Sequence, residues 1–326
     1  MKKIFPIISI LVMTCSACIN KLDYQSDLEE DVIIMNALLR TDEKVHEVWV
    51  SVGQLDNIAV PREDAHVKCY INGKFIAEAE FDRVITGAKR FKFFADIQPG
   101  DEVQLKASVG SIQASATATA PQAAQIVAVD TFHVEKSPYF LSSRSGASAF
   151  GCRLQVKDNP GQQNWYRLLA EYEHRINDGV VLHRNSVFEF YRDPILQDIY
   201  PPFGEHGNPF DGLVPSNDKN VFCAFRDTGF ADRTAEVEVH MQYDQINLGS
   251  DFGSVGVYVT EKVLRFILLS ISQEEYDYLV QINKSLYTDQ SFNVLQEPVR
   301  IPSNVENGLG FFSIATASSF EITRAK

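Results

Sequence analysis

The sequence predicts an all-β protein: an N-terminal Ig-like β-sandwich followed by a larger antiparallel β-barrel or sandwich domain with one α-helix. Three observations carry this reading. Short strand-like runs bounded by polar or turn residues fill most of the chain. Asn72-Gly73 and Asn177-Asp178-Gly179 fall between such runs as hairpin turns, because an Asn-Gly or Asp-Gly pair tolerates the positive φ that a tight turn imposes. A single segment, near residues 272–287, has helical period.

Residues 1–17 read as a signal peptide. Lys2 and Lys3 precede an apolar run from Ile4 to Met13, and Ser16-Ala17 leads into Cys18. A charged start, a short apolar core and a small-residue junction are the parts of an export signal. The core is too short for a spanning helix, which needs about 20 apolar residues. A junction that abuts a cysteine resembles a bacterial lipoprotein signal, which makes Cys18 the expected lipidated N-terminus. Cys15, preceded by Met13-Thr14, fits less well, and a plain secretory signal is the alternative.

Composition bounds the rest. At 45% hydrophobic and 11% aromatic content the chain can bury real cores, so its bulk folds. Loss of Lys2 and Lys3 with the signal takes the net charge from −13 to −15. So acidic a chain, without a Lys/Arg cluster, is a poor nucleic-acid binder, since phosphate neutralisation supplies most of that affinity. Nor would charge draw it to an anionic membrane. Lipid must do that, and a single acyl chain holds only marginally. Apart from Cys15 and Cys18 the cysteines are Cys69, Cys152 and Cys223, in the apolar runs VKCYI, FGCRL and VFCAF. They read as packing residues, although an oxidising envelope leaves a Cys152–Cys223 bridge open.

Residues 18–30 are polar and acidic and read as a tether. The sandwich spans 31–121, with strands VIIMNALL, VHEVWVSV, HVKCYI, KFIAEAEF, RFKFFADI, EVQLKASV and IQASATATA. Val48, Val50 and Val52 alternate with Trp49 and Ser51, the period of a strand. About seven strands at this spacing suit an Ig-like sandwich, without the Cys…Trp…Cys pattern of antibody domains. Residues 122–326 form the second, β-rich unit. LLAEYEHRI and VVLHRNSVFEFY flank the second hairpin turn, and NVFCAFRD, AEVEVHMQY and VGVYVTEKVLRFILLSI follow. Ser272 and Glu275 make a capping box, and Tyr276, Leu279, Val280, Asn283, Leu286 and Tyr287 then recur at helical spacing.

Few residues offer chemistry. The chain has no GxSxG elbow, HExxH, phosphate loop or CxxC, and its seven histidines are scattered, so no enzyme class and no cofactor is indicated. One histidine pair has geometry behind it. A two-residue turn at Asp178-Gly179 sets His174 opposite His183, with Cβ atoms about 4.5–5.5 Å apart. A three-residue loop sets His183 opposite Glu173 instead. Two imidazoles still make an incomplete metal site, because zinc takes at least a third protein ligand, so a polar hairpin face is the better reading. The proline-rich segment 193–218 carries Tyr200, Phe203, His206 and Phe210. Stiff backbone with aromatic anchors is the make-up of a ligand or partner surface, and burial of those rings against their own sandwich is the competing reading. Gly308 and Gly310 near the C-terminus suit positive φ or close backbone approach.

The tail Glu-Pro-Val, Ser-Asn-Val and Asn-Gly-Leu-Gly-Phe-Phe (297–312) resembles the end of a Bacteroidota outer-membrane lipoprotein family known as domain of unknown function 4249. VIIMNALL soon after the cysteine, Ile71-Asn72-Gly73, VKDNPGQQNWYRL (156–168) and LLSISQEEYDYL are similar to further parts of it. The resemblance implies an outer-membrane lipoprotein facing the cell surface or periplasm and associated with TonB-dependent receptors, with no catalytic residues to carry over. The expected function is therefore non-enzymatic binding, either capturing a ligand or docking on a TonB-dependent outer-membrane transporter. A structural or adhesive surface lipoprotein is the alternative, and an envelope hydrolase with a spatially assembled site is the least favoured.

Overall fold

A computed structural model of the chain describes residues 31–53, 59–60, 64–85, 88–135, 149–176, 195, 220–242, 259–288 and 300–325. Among these residues the protein is a set of packed sheets with one α-helix, and no sheet closes into a barrel. Cys18 and the residues read as signal and tether (1–30) lie outside the described residues.

The N-terminal part contains β1 (Val32–Arg40), β2 (Val45–Gly53), β3 (Ala59–Val60), β4 (Ala65–Ile71), β5 (Lys74–Glu78), β6 (Glu80–Ile85), β7 (Ala88–Phe94), β8 (Glu102–Val109) and β9 (Ile112–Thr119). β5-β4-β8-β9 form one sheet, which faces β1-β2-β7-β6. Alternation decides which side chains meet. Val48, Val50 and Val52 of β2, Val67 and Cys69 of β4, and Val103 and Leu105 of β8 are almost fully buried between the sheets. Asn72 and Gly73 have φ of 50° and 75°, as their hairpin requires. The run KFIAEAEF, expected as one strand, is two. β5 stays with β4 while β6 crosses to β7, and the small, buried Ala79 sits at the corner, its N–H bonded to Val67 O at 2.8 Å.

The second part adds β10 (Gln125–Val134), β11 (Ala149–Lys157), β12 (Trp165–Ile176), β13 (Ala224–Arg226), β14 (Thr234–Gln242), β15 (Val259–Ile271), α1 (Gln273–Thr288), β16 (Gly308–Leu309) and β17 (Phe312–Ala325). The three-stranded sheet β10-β11-β14 packs on β13-β12-β15-β17 through Leu154, Val156, Tyr166, Leu168, Val237 and Phe266. VFCAF is mostly turn rather than strand. Cys223 has φ of 54°, and β13 begins only at Ala224.

The last strand joins the two parts. β17 pairs antiparallel with β15 and parallel with β1, so a ten-stranded sheet runs across both. Phe312 and Ile314 enter the first core, while Phe320 and Ile322 pack on the second. α1 covers the opposite face through Tyr276 and Leu279 on Ile267, Leu269 and Ala315. β15 is thus buried on both faces, which explains why VLRFILLSI is continuous rather than alternating. The passage between the parts is tied down by a hydrogen bond from Ala124 N to Ser270 Oγ at 2.9 Å and by Thr316 Oγ1 donating to Pro121 O. No described helix is long and apolar enough to cross a membrane.

Candidate functional site

A cleft of about 540 Å³ opens where α1 meets the outer face of the ten-stranded sheet. β1 and β2 floor it through Asn36, Leu38, Val45, Glu47 and Trp49, with Glu43 between the strands and Tyr278 and Phe311 as a wall. Strand alternation produces this floor. Residues 33, 35 and 37 of β1 and 48, 50 and 52 of β2 point into the sandwich, so their neighbours in sequence face outward. Leu38 and Val45 remain 43% and 53% exposed. Tyr278 comes from the first turns of α1 and lies flat on Phe311, with ring centroids 4.1 Å apart and planes 5° apart.

The tail motif builds that wall. Gly310 has φ of 110°, and a Cβ there would lie 2.1 Å from Met35 O, so the chain approaches β1 as closely as only glycine permits. Asn36 Oδ1 accepts from Phe311 N at 3.0 Å, and Ala37 N donates to Phe311 O at 2.9 Å. Asn304 brackets the next residue, donating from Nδ2 to Phe312 O at 2.7 Å and accepting from Phe312 N at 2.8 Å. Glu306 and Ser115 exchange backbone hydrogen bonds at 2.7 and 3.1 Å, which ties the turn to β9. The Asn-Val…Asn-Gly-Leu-Gly-Phe-Phe tail is a clasp that places Phe311.

Charges around the cleft are compensated. Glu47 pairs with Arg90 at 3.1 Å and Lys92 at 3.7 Å, and Glu43 with Arg40 at 3.7 Å. Arg90 also pairs with Asp82 and stands 5.6 Å from the centre of the Trp49 ring. Hydrogen bonds from Arg83 and Arg90 hold the Asp82 carboxyl well below the usual range. Burial pushes the Tyr278 phenol above its ordinary value, so it remains a neutral donor and acceptor. Beneath the floor, His46 is 1% exposed and turned into the core, 5.2 Å from Phe93. Its Nε2 is 3.2 Å from Ala95 O, which puts the proton on Nε2 and leaves Nδ1 buried without a partner. Burial lowers its pKa.

A second polar cluster is structural. In DNPGQQNWY, Tyr166 Oη donates to Asp158, whose other oxygen accepts from Asp232 N at 2.8 Å. Asn164 N donates to Asp227 Oδ2 at 2.7 Å, and its Nδ2 reaches Asn159 O at 2.7 Å. Asp158, Asn164, Tyr166 and Asp227 are all buried, so these contacts brace a turn and leave nothing facing solvent. Among the described residues no group of three or more His, Cys, Asp or Glu is placed to hold a metal.

Ser272 caps α1, its Oγ accepting from Glu275 N at 3.1 Å. The Glu275 carboxyl is buried, with Oε2 unpartnered, under the helix. Burial raises its pKa, opposed by the charge of Arg167. Cys69 and Cys152 are free and buried, their thiols pushed up to about 12 by burial; Cys223 is free, half-buried and likewise raised.

Of the residues singled out in the sequence, Tyr200, Phe203, His206, Phe210 and His183 lie outside the described residues. His174 is described as backbone alone, paired with Lys262 in the β12–β15 ladder. Ile195, the single described residue of the proline-rich segment, packs against the second core. The cleft residues Trp49, Tyr278 and Phe311 escaped sequence reasoning. Trp49 carried a signal, as a large aromatic on the outward phase of an alternating strand. The joining of Tyr278 to Phe311 is a tertiary fact with no local signature.

Among solved structures the chain is similar to a Salmonella alpha-2-macroglobulin mutant at 10% identity and a TM-score of 0.25, over 74% of this chain and 13% of that one. It is also similar to a beta-glucuronidase from glycoside hydrolase family 2 at 10% identity and a TM-score of 0.19, over 73% and 19% of the two chains. The chain thus spans less than a fifth of either, and likenesses this faint say nothing of activity. No curated protein matches it. The family model described as domain of unknown function (DUF4249) matches residues 19–321, and the chain belongs to that family.

Proposed function

We propose that the protein is an outer-membrane lipoprotein of binding type, anchored through Cys18, that captures a ligand or docks on a TonB-dependent transporter. The observation that carries this reading is the junction Ser16-Ala17-Cys18 after a short apolar core, followed directly by the residues that match the family. The tether then lets the folded part stand off the bilayer. An aromatic-lined cleft on an otherwise ordinary sheet face supports a binding role, since concave sites with few polar groups are where ligands are held. Among the described residues of the cleft no nucleophile is paired with a base, and binding rather than turnover is the role proposed.

Affinity purification of the tagged full chain from detergent-solubilised outer membrane tests the partner. A stoichiometric transporter barrel should co-purify with the wild type and be reduced for Cys18→Ala, which lacks the anchor. Recovery of the lipidated protein alone, or binding to cell surfaces without any barrel protein, would overturn docking in favour of an adhesive role.

A further inference from the structure

We propose that the cleft beside α1 takes a neutral saccharide ring, which names the ligand class for the binding role above and rests on that reading. A pyranose has apolar C–H faces and a rim of hydroxyls, and the cleft has the matching division. Trp49 and Tyr278 line it from a strand and a helix, and Phe311, 1% exposed in the tail turn, backs the Tyr278 ring. Each is fixed by its own element, so little side-chain entropy is lost when a ring stacks there. The polar groups in the lining are compensated without being hidden. Glu47 is shared by Arg90 and Lys92, and Glu43 is paired with Arg40. Glu43 and Glu47 thus offer acceptors to vicinal hydroxyls, their charge shared by cations that stand behind the lining. Asn36 adds a donor: its Oδ1 is taken by Phe311 N, so its NH₂ is the group left to offer.

Charge and polarity argue against the other ligand classes. An anionic ligand would need a cation not already paired, and a cationic ligand a carboxylate not already paired. An acyl chain would strip water from ion pairs and an amide without replacing those hydrogen bonds. A volume of about 540 Å³ holds one or two sugar rings, within the range of about 300–1,000 Å³ usual for small-molecule sites.

The chain has two tryptophans, Trp49 and Trp165. In a Trp165→Phe background, fluorescence therefore reports the cleft alone. Cello-, malto-, xylo-, laminari-, manno- and chitohexaose would be titrated into the full chain, beside oligogalacturonate and hexalysine as charged probes. At least one neutral oligosaccharide should give a saturable change at millimolar concentration or below, and neither charged probe should. By calorimetry on the protein with both tryptophans, Trp49→Ala and Tyr278→Ala should each weaken that sugar by about tenfold or more, and Trp49→Phe by less. A melting curve for each variant separates a lost site from a lost fold. Absence of binding by every neutral sugar, preference for either charged probe, or unchanged affinity in folded Trp49→Ala would overturn the assignment. None of these outcomes bears on the membrane anchor or the transporter partner, which are read by co-purification.

Discussion

Gly310 and Gly73 both hold positive φ, at 110° and 75°, yet they differ in what surrounds them. A Cβ at Gly73 meets nothing within 4 Å, whereas at Gly310 it meets the Met35 backbone at 2.1 Å. Gly73→Ala should therefore cost about 1 kcal/mol of left-handed strain. Gly310→Ala adds an overpacking cost of about 1–3 kcal/mol and should also displace Phe311. Urea unfolding of the two variants compares them directly, and equal losses would refute the close approach. His46 gives a pH signature. Burial depresses its folded pKa below the ordinary 6.5, so its stability contribution is complete above about 6.5 and declines as the pH falls toward the folded pKa. Protonation is disfavoured because Nδ1 would then carry a buried, unpaired N–H. Urea midpoints should fall between pH 7 and pH 5, and His46→Leu should flatten that part of the curve. Similar slopes for both proteins would remove His46 as the cause.

At the scale of elements, alternation was legible and pairing was not. The even-numbered valines of β2 revealed a strand and its buried face from sequence alone. Ser272 and Glu275 marked the start of α1, because a cap is a local interaction. KFIAEAEF gave no sign of changing sheets at Ala79, since a corner is set by what packs on either side. The VLRFILLSI run was ambiguous, as two-sided burial erases the period-2 pattern that identifies a strand. The DNPGQQNWY segment was visible as a motif, but its role as a buried brace depends on Asp227 and Asp232, more than sixty residues away. That role makes a prediction. Tyr166→Phe removes the hydroxyl from buried Asp158 at almost constant volume, and should cost about 1–3 kcal/mol. A loss near zero in chemical denaturation would show that the hydroxyl carries no weight.

Over the whole molecule, β17 is the element on which both sandwiches depend. It lies between β15 and β1, feeds Phe312 and Ile314 into one core, and packs Phe320 and Ile322 on the other. The sequence shows a break at Pro121 between two strand-rich stretches, and it cannot show that the first and last strands are neighbours, because parallel pairing across the full chain length has no local trace. A shared strand couples the two parts, so calorimetry should give one cooperative unfolding transition rather than two. A chain ending at residue 311 should lose both cores together. Two well-separated transitions would show that the parts are stable independently.

The first described strand starts about a dozen residues beyond Cys18, the residue proposed to carry the lipid. An anchor at that cysteine is the premise of the binding role. Mass spectrometry of the N-terminal peptide from membrane-extracted protein tests it most directly. The expected result is a mature chain that begins at Cys18 and carries two or three acyl groups. A mature chain that begins elsewhere, or at Cys18 without lipid, would contradict it.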